Sequence, residues 1–214
     1  MDKLRITEIF YSLQGEALTA GCPTVFIRLT GCPLRCVYCD TAYAFSGGVL
    51  YAQDQVLNEV ANFNARYVCV TGGEPLAQKA CLPLLQALCD AGYEVSLETS
   101  GAIDVSAVDA RVSRVVDMKT PASGELDRNL YENLGVLGKH DQIKFVITDE
   151  QDYAWSRQLI DKYGLQGKTG ELLFSPVHES LQASTLADWI LRDRLPVRLQ
   201  LQLHKYLWQD ARGR

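Results

Sequence analysis

Six short apolar runs, each ending on a polar or glycine-bearing turn, constrain this 214-residue chain more than any other feature. They are residues 24–29 (TVFIRL), 67–70 (YVCV), 94–97 (EVSL), 114–116 (RVV), 143–147 (IKFVI) and 172–174 (LLF). β-branched and aromatic residues in runs of this length favour strands. Between them, residues 51–63, 78–91, 150–163 and 182–193 repeat apolar positions at helical spacing, with Leu82, Leu85, Leu88 and Cys89 marking one face. Strands alternating with helices imply βαβ units and a parallel sheet. About six parallel strands are too few for an eight-fold barrel, so the expected fold is α/β, an incomplete TIM-like barrel, in one domain spanning 1–214.

In such folds the carboxyl ends of the strands carry the site. Here those ends read Thr71-Gly72-Gly73-Glu74-Pro75, Glu98-Thr99-Ser100-Gly101, Asp117-Met118-Lys119-Thr120, Thr148-Asp149 and Ser175-Pro176. The first run breaks at Gly31 into Cys32-Pro33-Leu34-Arg35-Cys36-Val37-Tyr38-Cys39-Asp40-Thr41, with its cysteines spaced C-x3-C-x2-C. A structural zinc site takes four ligands, usually as two separated pairs, and this loop supplies three. Three thiolates can hold three irons of a [4Fe-4S] cube and leave the fourth open to a small molecule. Unrelated thiols, or a zinc site completed by a distant Cys or His, are the alternatives. Gly72 and Gly73 would let backbone approach a ligand closely, or would simply serve a tight turn.

Composition narrows the partners. Asp and Glu outnumber Lys and Arg by 26 to 21 and no basic run occurs, which disfavours nucleic acid. The start Met1-Asp2-Lys3-Leu4-Arg5 has no apolar signal core and no run of 18 apolar residues is present, so a cytoplasmic location is expected. Seven cysteines, an odd number, fit reduced thiols there, with Cys69, Cys81 and Cys89 as buried small hydrophobes.

The three-cysteine spacing together with Thr71-Gly72-Gly73-Glu74-Pro75 resembles the radical S-adenosylmethionine (SAM) superfamily. What the resemblance implies is a cluster at Cys32, Cys36 and Cys39 whose open iron chelates SAM. Reductive cleavage then yields methionine and a 5′-deoxyadenosyl radical. Three further pieces, Leu13-Gln14-Gly15-Glu16, Cys39-Asp40-Thr41 and His204-Lys205-Tyr206-Leu207, are similar to the 7-carboxy-7-deazaguanine synthase family, over residues 6–207. That family converts a 6-carboxytetrahydropterin in queuosine biosynthesis.

Carried over by position, the resemblance implies pterin contacts at Leu13, Gln14, Gly15, Glu16, Arg28, Thr71 and His204. It implies SAM contacts at Tyr38, Cys39, Asp40, Gly72, Gly73, Glu74, Glu98, Ser100 and Lys119, and Mg²⁺ at Thr41. It also implies a homodimer, a reductant such as flavodoxin or ferredoxin, and no catalytic side chain beyond the cluster and the SAM radical. The residue chemistry agrees: amides and carboxylates pair with a pterin edge, and Arg28 can grip a carboxylate bidentately. An internal salt bridge is the other explanation for Arg28 inside an apolar strand. For Asp40-Thr41 the other explanation is a helix cap or Asx turn, and for Phe10 to Glu16 it is an N-terminal hairpin with exposed polar residues.

The chain departs from the family at Asp117-Met118-Lys119 (Ser-Pro-Lys in the family), at Ser175-Pro176-Val177-His178 (Gln-Pro-Met-Asp) and at Ala17 (Gly). Seven residues follow Leu207. His140 and His178 read as surface or capping residues, Trp155 and Trp189 as packing, and residues 138–142 as a polar connection. Two other function classes compete: a radical enzyme acting on a partner protein, and a non-enzymatic iron–sulfur or zinc module with four protein ligands.

Overall fold

The computed structural model describes residues 3–178, 180–209 and 211–213. Met1 and Asp2 of the N-terminal reading, and Asp210 and Arg214 of the tail, lie outside the described residues. Among the described residues, nine strands form one sheet in the order β3-β1-β2-β4-β5-β6-β7-β8-β9. They are β1 (Leu4–Leu13), β2 (Pro23–Leu29), β3 (Val49–Tyr51), β4 (Tyr67–Gly72), β5 (Glu94–Thr99), β6 (Ser113–Met118), β7 (Gln142–Ile147), β8 (Glu171–Pro176) and β9 (Arg198–Leu199). From β2 to β9 all neighbours are parallel, while β1 is antiparallel to β2 and β3. β3 and β9 stand at opposite edges, so the barrel is incomplete, as expected. The six expected strands are β2 and β4 to β8; β9 adds a two-residue parallel stub, and the antiparallel edge extends the sheet past the predicted core. The hairpin over residues 10–16 is real as β1 and β2, but Gln14 and Glu16 are buried.

Side chains alternate across a strand, and this alternation divides the molecule. One sheet face carries Val25, Ile27, Leu29, Val68, Val70, Leu97, Val116, Met118, Ile143, Phe145 and Ile147 into the core. The opposite face presents Phe26, Arg28, Thr71, Glu98, Val115, Asp117, Lys144 and Val146 to a cavity.

Four helices, α1 (Gln53–Ala61), α2 (Cys81–Asp90), α3 (Glu150–Tyr163) and α4 (Ala183–Asp193), fall inside the periodic stretches, and a short α5 (Leu203–Trp208) follows β9. The buried face of α2 is Cys81, Leu84, Leu85 and Leu88, while Leu82 and Cys89 sit on its flanks. The predicted face was therefore out of phase, and Cys89 is only half-buried. Trp155 and Trp189 pack as expected, edge-on to Phe145 and tilted against Tyr153. His140 is exposed beside Asp141. No helix among the described residues is long and apolar enough to cross a membrane.

The β5–β6 crossover is built of turns and bends and the β6–β7 crossover of 3₁₀ turns, and neither contains an α-helix. Side chains replace helical hydrogen bonding there. Asn133 donates to the carbonyls of Gly101 and Ile103 and accepts from Val105 N, and Asn129 bonds Lys119 N and O at 2.8 Å. Residues 138–142 are more than a polar connection. Asp141, fully buried, accepts from Arg114 Nη2 at 2.6 Å and from Gly138 N at 2.7 Å.

Candidate active site

The cavity of about 650 Å³ lies over the polar sheet face. Its walls are that face, the cysteine loop, the turns after β4 and β5, the segment following β8 and the beginning of α5. β1 runs against the other strands, and the turn after it returns Gln14 to Glu16 over the same face. Every residue expected to bind cluster, SAM, pterin or Mg²⁺ lines this cavity except Glu74.

Glu74 is fully buried and its carboxylate is occupied. It accepts from Leu76 N, Thr99 Oγ1, Ser100 N and Ser100 Oγ. Its side chain therefore anchors the β5 turn and caps its own, while Thr99 and Ser100 face the cavity. The two glycines before it are required by neighbouring backbone. A Cβ on Gly72 would lie 2.3 Å from Leu29 O, and one on Gly73 would lie 2.1 Å from Gly31 O. Gly73 N and Glu74 N donate to Leu29 O and Gly31 O, so the turn is fastened to the root of the cysteine loop. The close approach is between two backbones, and the turn still lines the cavity.

Cys32, Cys36 and Cys39 are unpaired, half-buried, and arranged along one rim. Burial pushes the Cys32 and Cys36 thiols up, and Lys119 opposes it. Leu34 N lies 3.4 Å from Cys32 Sγ, and Thr41 Oγ1 lies 3.8 Å from Cys39 Sγ. Among the described residues, no three His, Cys, Asp or Glu side chains gather as ligands of a single ion; a cube takes its three thiolates at three separate irons. Thr41 stands at the N-terminus of a 3₁₀ turn, Ala42–Phe45, without a side-chain capping bond. Tyr38 packs by Thr120, and burial, reinforced by Asp117, pushes its phenol up to about 12.

On the other wall, Gln14 Nε2 and Thr71 Oγ1 both donate to Glu98, at 3.2 and 2.9 Å. Glu98 thus joins two residues of the pterin group, although the resemblance placed it with SAM. Arg28 Nε donates to Glu8 at 2.7 Å, and Tyr43 OH donates to the same oxygen at 2.8 Å. The internal salt bridge is present, and Arg28 also faces the cavity. Gly15 packs so tightly on α5 that a Cβ there would meet His204 Nδ1 at 2.1 Å.

Lys144 and Gln202 were not expected at the site and Asp117 stood out only as a departure from the family pattern, yet all three line the cavity. Lys144 Nζ lies 2.6 Å from Glu16 Oε2 and 3.7 Å from Asp117 Oδ2, and that same Asp117 oxygen lies 3.1 Å from Lys119 Nζ. Gln202 Nε2 donates to Glu16 Oε1 at 2.8 Å. Burial alone would raise the Glu16 carboxyl, but Lys144 and Gln202 outweigh it and hold the group at about 2. Burial would likewise lower Lys119 and Lys144, and the neighbouring carboxylates raise both instead. The signal that marked Arg28, a cation inside an apolar strand, was equally present in IKFVI for Lys144. His178 is exposed at the cavity rim, where a plain surface role was expected.

Residues 26–118 match the family model of the Radical SAM superfamily. The fold also matches the crystal structure of QueE from Escherichia coli, with TM-score 0.78 and 24% identity, covering 94% of this chain and 95% of that one. The matched residues take in the three-cysteine loop and the Thr71–Pro75 turn, and that superfamily implies a [4Fe-4S] cluster and SAM. The donor set fits: three free thiols line the cavity together with Tyr38, Ser100 and Lys119.

Curated relatives narrow the class. The 7-carboxy-7-deazaguanine synthase of Chlorobaculum tepidum is 47% identical over 98% of this chain and 97% of its own length. That of Koribacter versatilis is 42% identical over 96% and 97%. The chain belongs to the 7-carboxy-7-deazaguanine synthase family.

Proposed function

We propose that this chain, as a single domain, converts 6-carboxy-5,6,7,8-tetrahydropterin to 7-carboxy-7-deazaguanine with loss of ammonia, a carbon–nitrogen lyase step in queuosine biosynthesis. The observation that supports it is the joining of two residue sets in one cavity. Cys32, Cys36 and Cys39 stand on one rim, and Gln14, Glu16, Arg28 and His204 stand in the walls. With cluster and SAM in place, reductive cleavage of SAM supplies the radical that takes hydrogen from C6 of the pterin.

The protein's own work is binding and orientation. Arg28 holds the substrate carboxylate; its Nε is committed to Glu8, so the grip falls to Nη1 and Nη2. Glu16 and Gln14 meet the pterin edge, and Glu98 fixes Gln14 and Thr71. Tyr38, Cys39, Asp40, Gly72, Gly73, Ser100 and Lys119 surround SAM. Glu74 acts on SAM only by holding Ser100. The Asp117 carboxylate at the departure from the family pattern keeps Lys119 charged beside Cys36 and Tyr38. Thr41, whose hydroxyl makes no capping bond, would hold Mg²⁺, a hard cation suited to an oxygen ligand that would orient substrate oxygens. A flavodoxin or ferredoxin supplies the electron, and the working form is a cytoplasmic homodimer.

The test is one anaerobic incubation of reconstituted protein with SAM, reductant, Mg²⁺ and 6-carboxytetrahydropterin, read by mass spectrometry. Formation of 7-carboxy-7-deazaguanine is expected. 5′-Deoxyadenosine without that product would retain the radical chemistry and remove the substrate.

A further inference from the structure

We propose that Lys144 is a positioning residue for the substrate: it aims the Glu16 carboxylate at the pterin edge and ties that wall, through Asp117, to Lys119 on the SAM side. The proposal rests on reading Glu16 as a pterin contact.

The geometry comes from register. Asp117 of β6 and Lys144 of β7 are direct partners in the parallel ladder, so both side chains stand on the cavity face. Glu16 reaches them from the turn after β1, bonding Lys144 Nζ at 2.6 Å. Gln202 fixes the other Glu16 oxygen from the segment before α5. Two distant parts of the chain, β7 and the segment before α5, therefore set the orientation of this one carboxylate. The charges run Glu16, Lys144, Asp117, Lys119, alternating in sign from the pterin wall to the SAM wall. Around Lys144 the facing groups are Glu16, Asp117 and Glu98; around Glu16 they are Lys144, Gln202 and His204.

The chemistry that needs this arrangement is the 2-amino-4-oxo edge of a pterin, which presents adjacent N–H donors. A carboxylate offers two acceptor oxygens and matches them; a protonated carboxyl offers a donor at one oxygen and does not. Each carboxylate oxygen has two acceptor positions, so the Lys144 and Gln202 bonds leave room for the substrate. Without Lys144, a buried Glu16 would tend to take up a proton rather than remain an unpaired charge.

Lys144→Gln, Lys144→Arg, Glu16→Gln and the Glu16→Gln/Lys144→Gln double variant test this. Binding of 6-carboxypterin is measured by calorimetry on cluster-loaded protein with SAM, alongside SAM affinity and steady-state KM and kcat. Lys144→Gln is expected to weaken pterin binding about tenfold or more, the scale of a lost charge-assisted bond. It should raise KM more than it lowers kcat and move SAM affinity by less. Lys144→Arg should recover part of the loss, and the double variant should bind no worse than the weaker single one. Should Lys144→Gln fail to fold, Lys144→Arg carries the test: pterin affinity below wild type with SAM affinity unchanged is expected, and equal losses of both would overturn the role. Wild-type pterin affinity in Lys144→Gln, or losses that multiply in the double variant, would overturn the positioning role. Failure of wild type itself to bind the pterin would instead remove the substrate reading, and this inference with it.

Discussion

Arg28 and Lys144 are cations set inside otherwise apolar strands, and each is met by a carboxylate within 2.7 Å. A buried charge persists where partners satisfy it. Arg28 faces the cavity as well, and a lysine there could not reproduce the planar fork that holds a carboxylate at two points. Arg28→Lys should therefore raise KM for the carboxypterin about tenfold or more while a pterin lacking the 6-carboxylate binds as to wild type; equal losses for both ligands would contradict the assignment. Glu16 carries a pH signature. Its carboxyl is depressed from 4.5 to about 2, so its stabilising contribution is complete above the unfolded value and is lost as pH falls through the folded one. The stability gap between wild type and Glu16→Gln should hold constant from neutral pH to about 4.5, then narrow toward 2 in chemical unfolding. A gap insensitive to acid would mean that Glu16 is not held ionised.

Elements differ in how plainly they were written in the chain. The alternation of strand and helix is an amphipathic signal, and all four longer helices lie inside the periodic stretches. The crossovers flanking β6 carry no such signal, because Asn129, Asn133 and Asp141 do their work through single side-chain bonds to distant backbone. The same limit hid Lys144 and Gln202, whose partners are 128 and 186 residues away. Glu74 was legible as a motif residue but not as an anchor, since only the fold brings Ser100 and Thr99 to it. The anchor buried at Asp141 is open to test. Asp141→Ala would leave the Arg114 guanidinium buried without its carboxylate and should cost about 3–5 kcal/mol of stability. Denaturant unfolding would measure it; a loss below about 1 kcal/mol would show the pair to be dispensable.

Across the molecule, the cluster loop and the GGEP turn form one unit, since Gly73 has backbone of that loop where its Cβ would be. Gly73→Ala must push the two segments apart, and a loss of about 2–3 kcal/mol is expected with poor iron incorporation. Gly15→Ala is its counterpart across the cavity. There the obstacle is the His204 side chain, which can swing away, so pterin affinity should fall with little change in melting temperature. A stability loss as large as that of Gly73→Ala would argue that α5 is fixed in place.

The wall that Gln202 and His204 complete is laid down long after the cysteine loop in the order of synthesis. Leu203 N reaches back to Gly15 O, and Gln202 reaches back to Glu16 and lies 3.4 Å from Asp40. One side of the chamber is thus closed by chain drawn from the far end of the sequence, and losing α5 would open Gly15 and Glu16 to water without touching the bonds between the cysteine loop and the turn after β4.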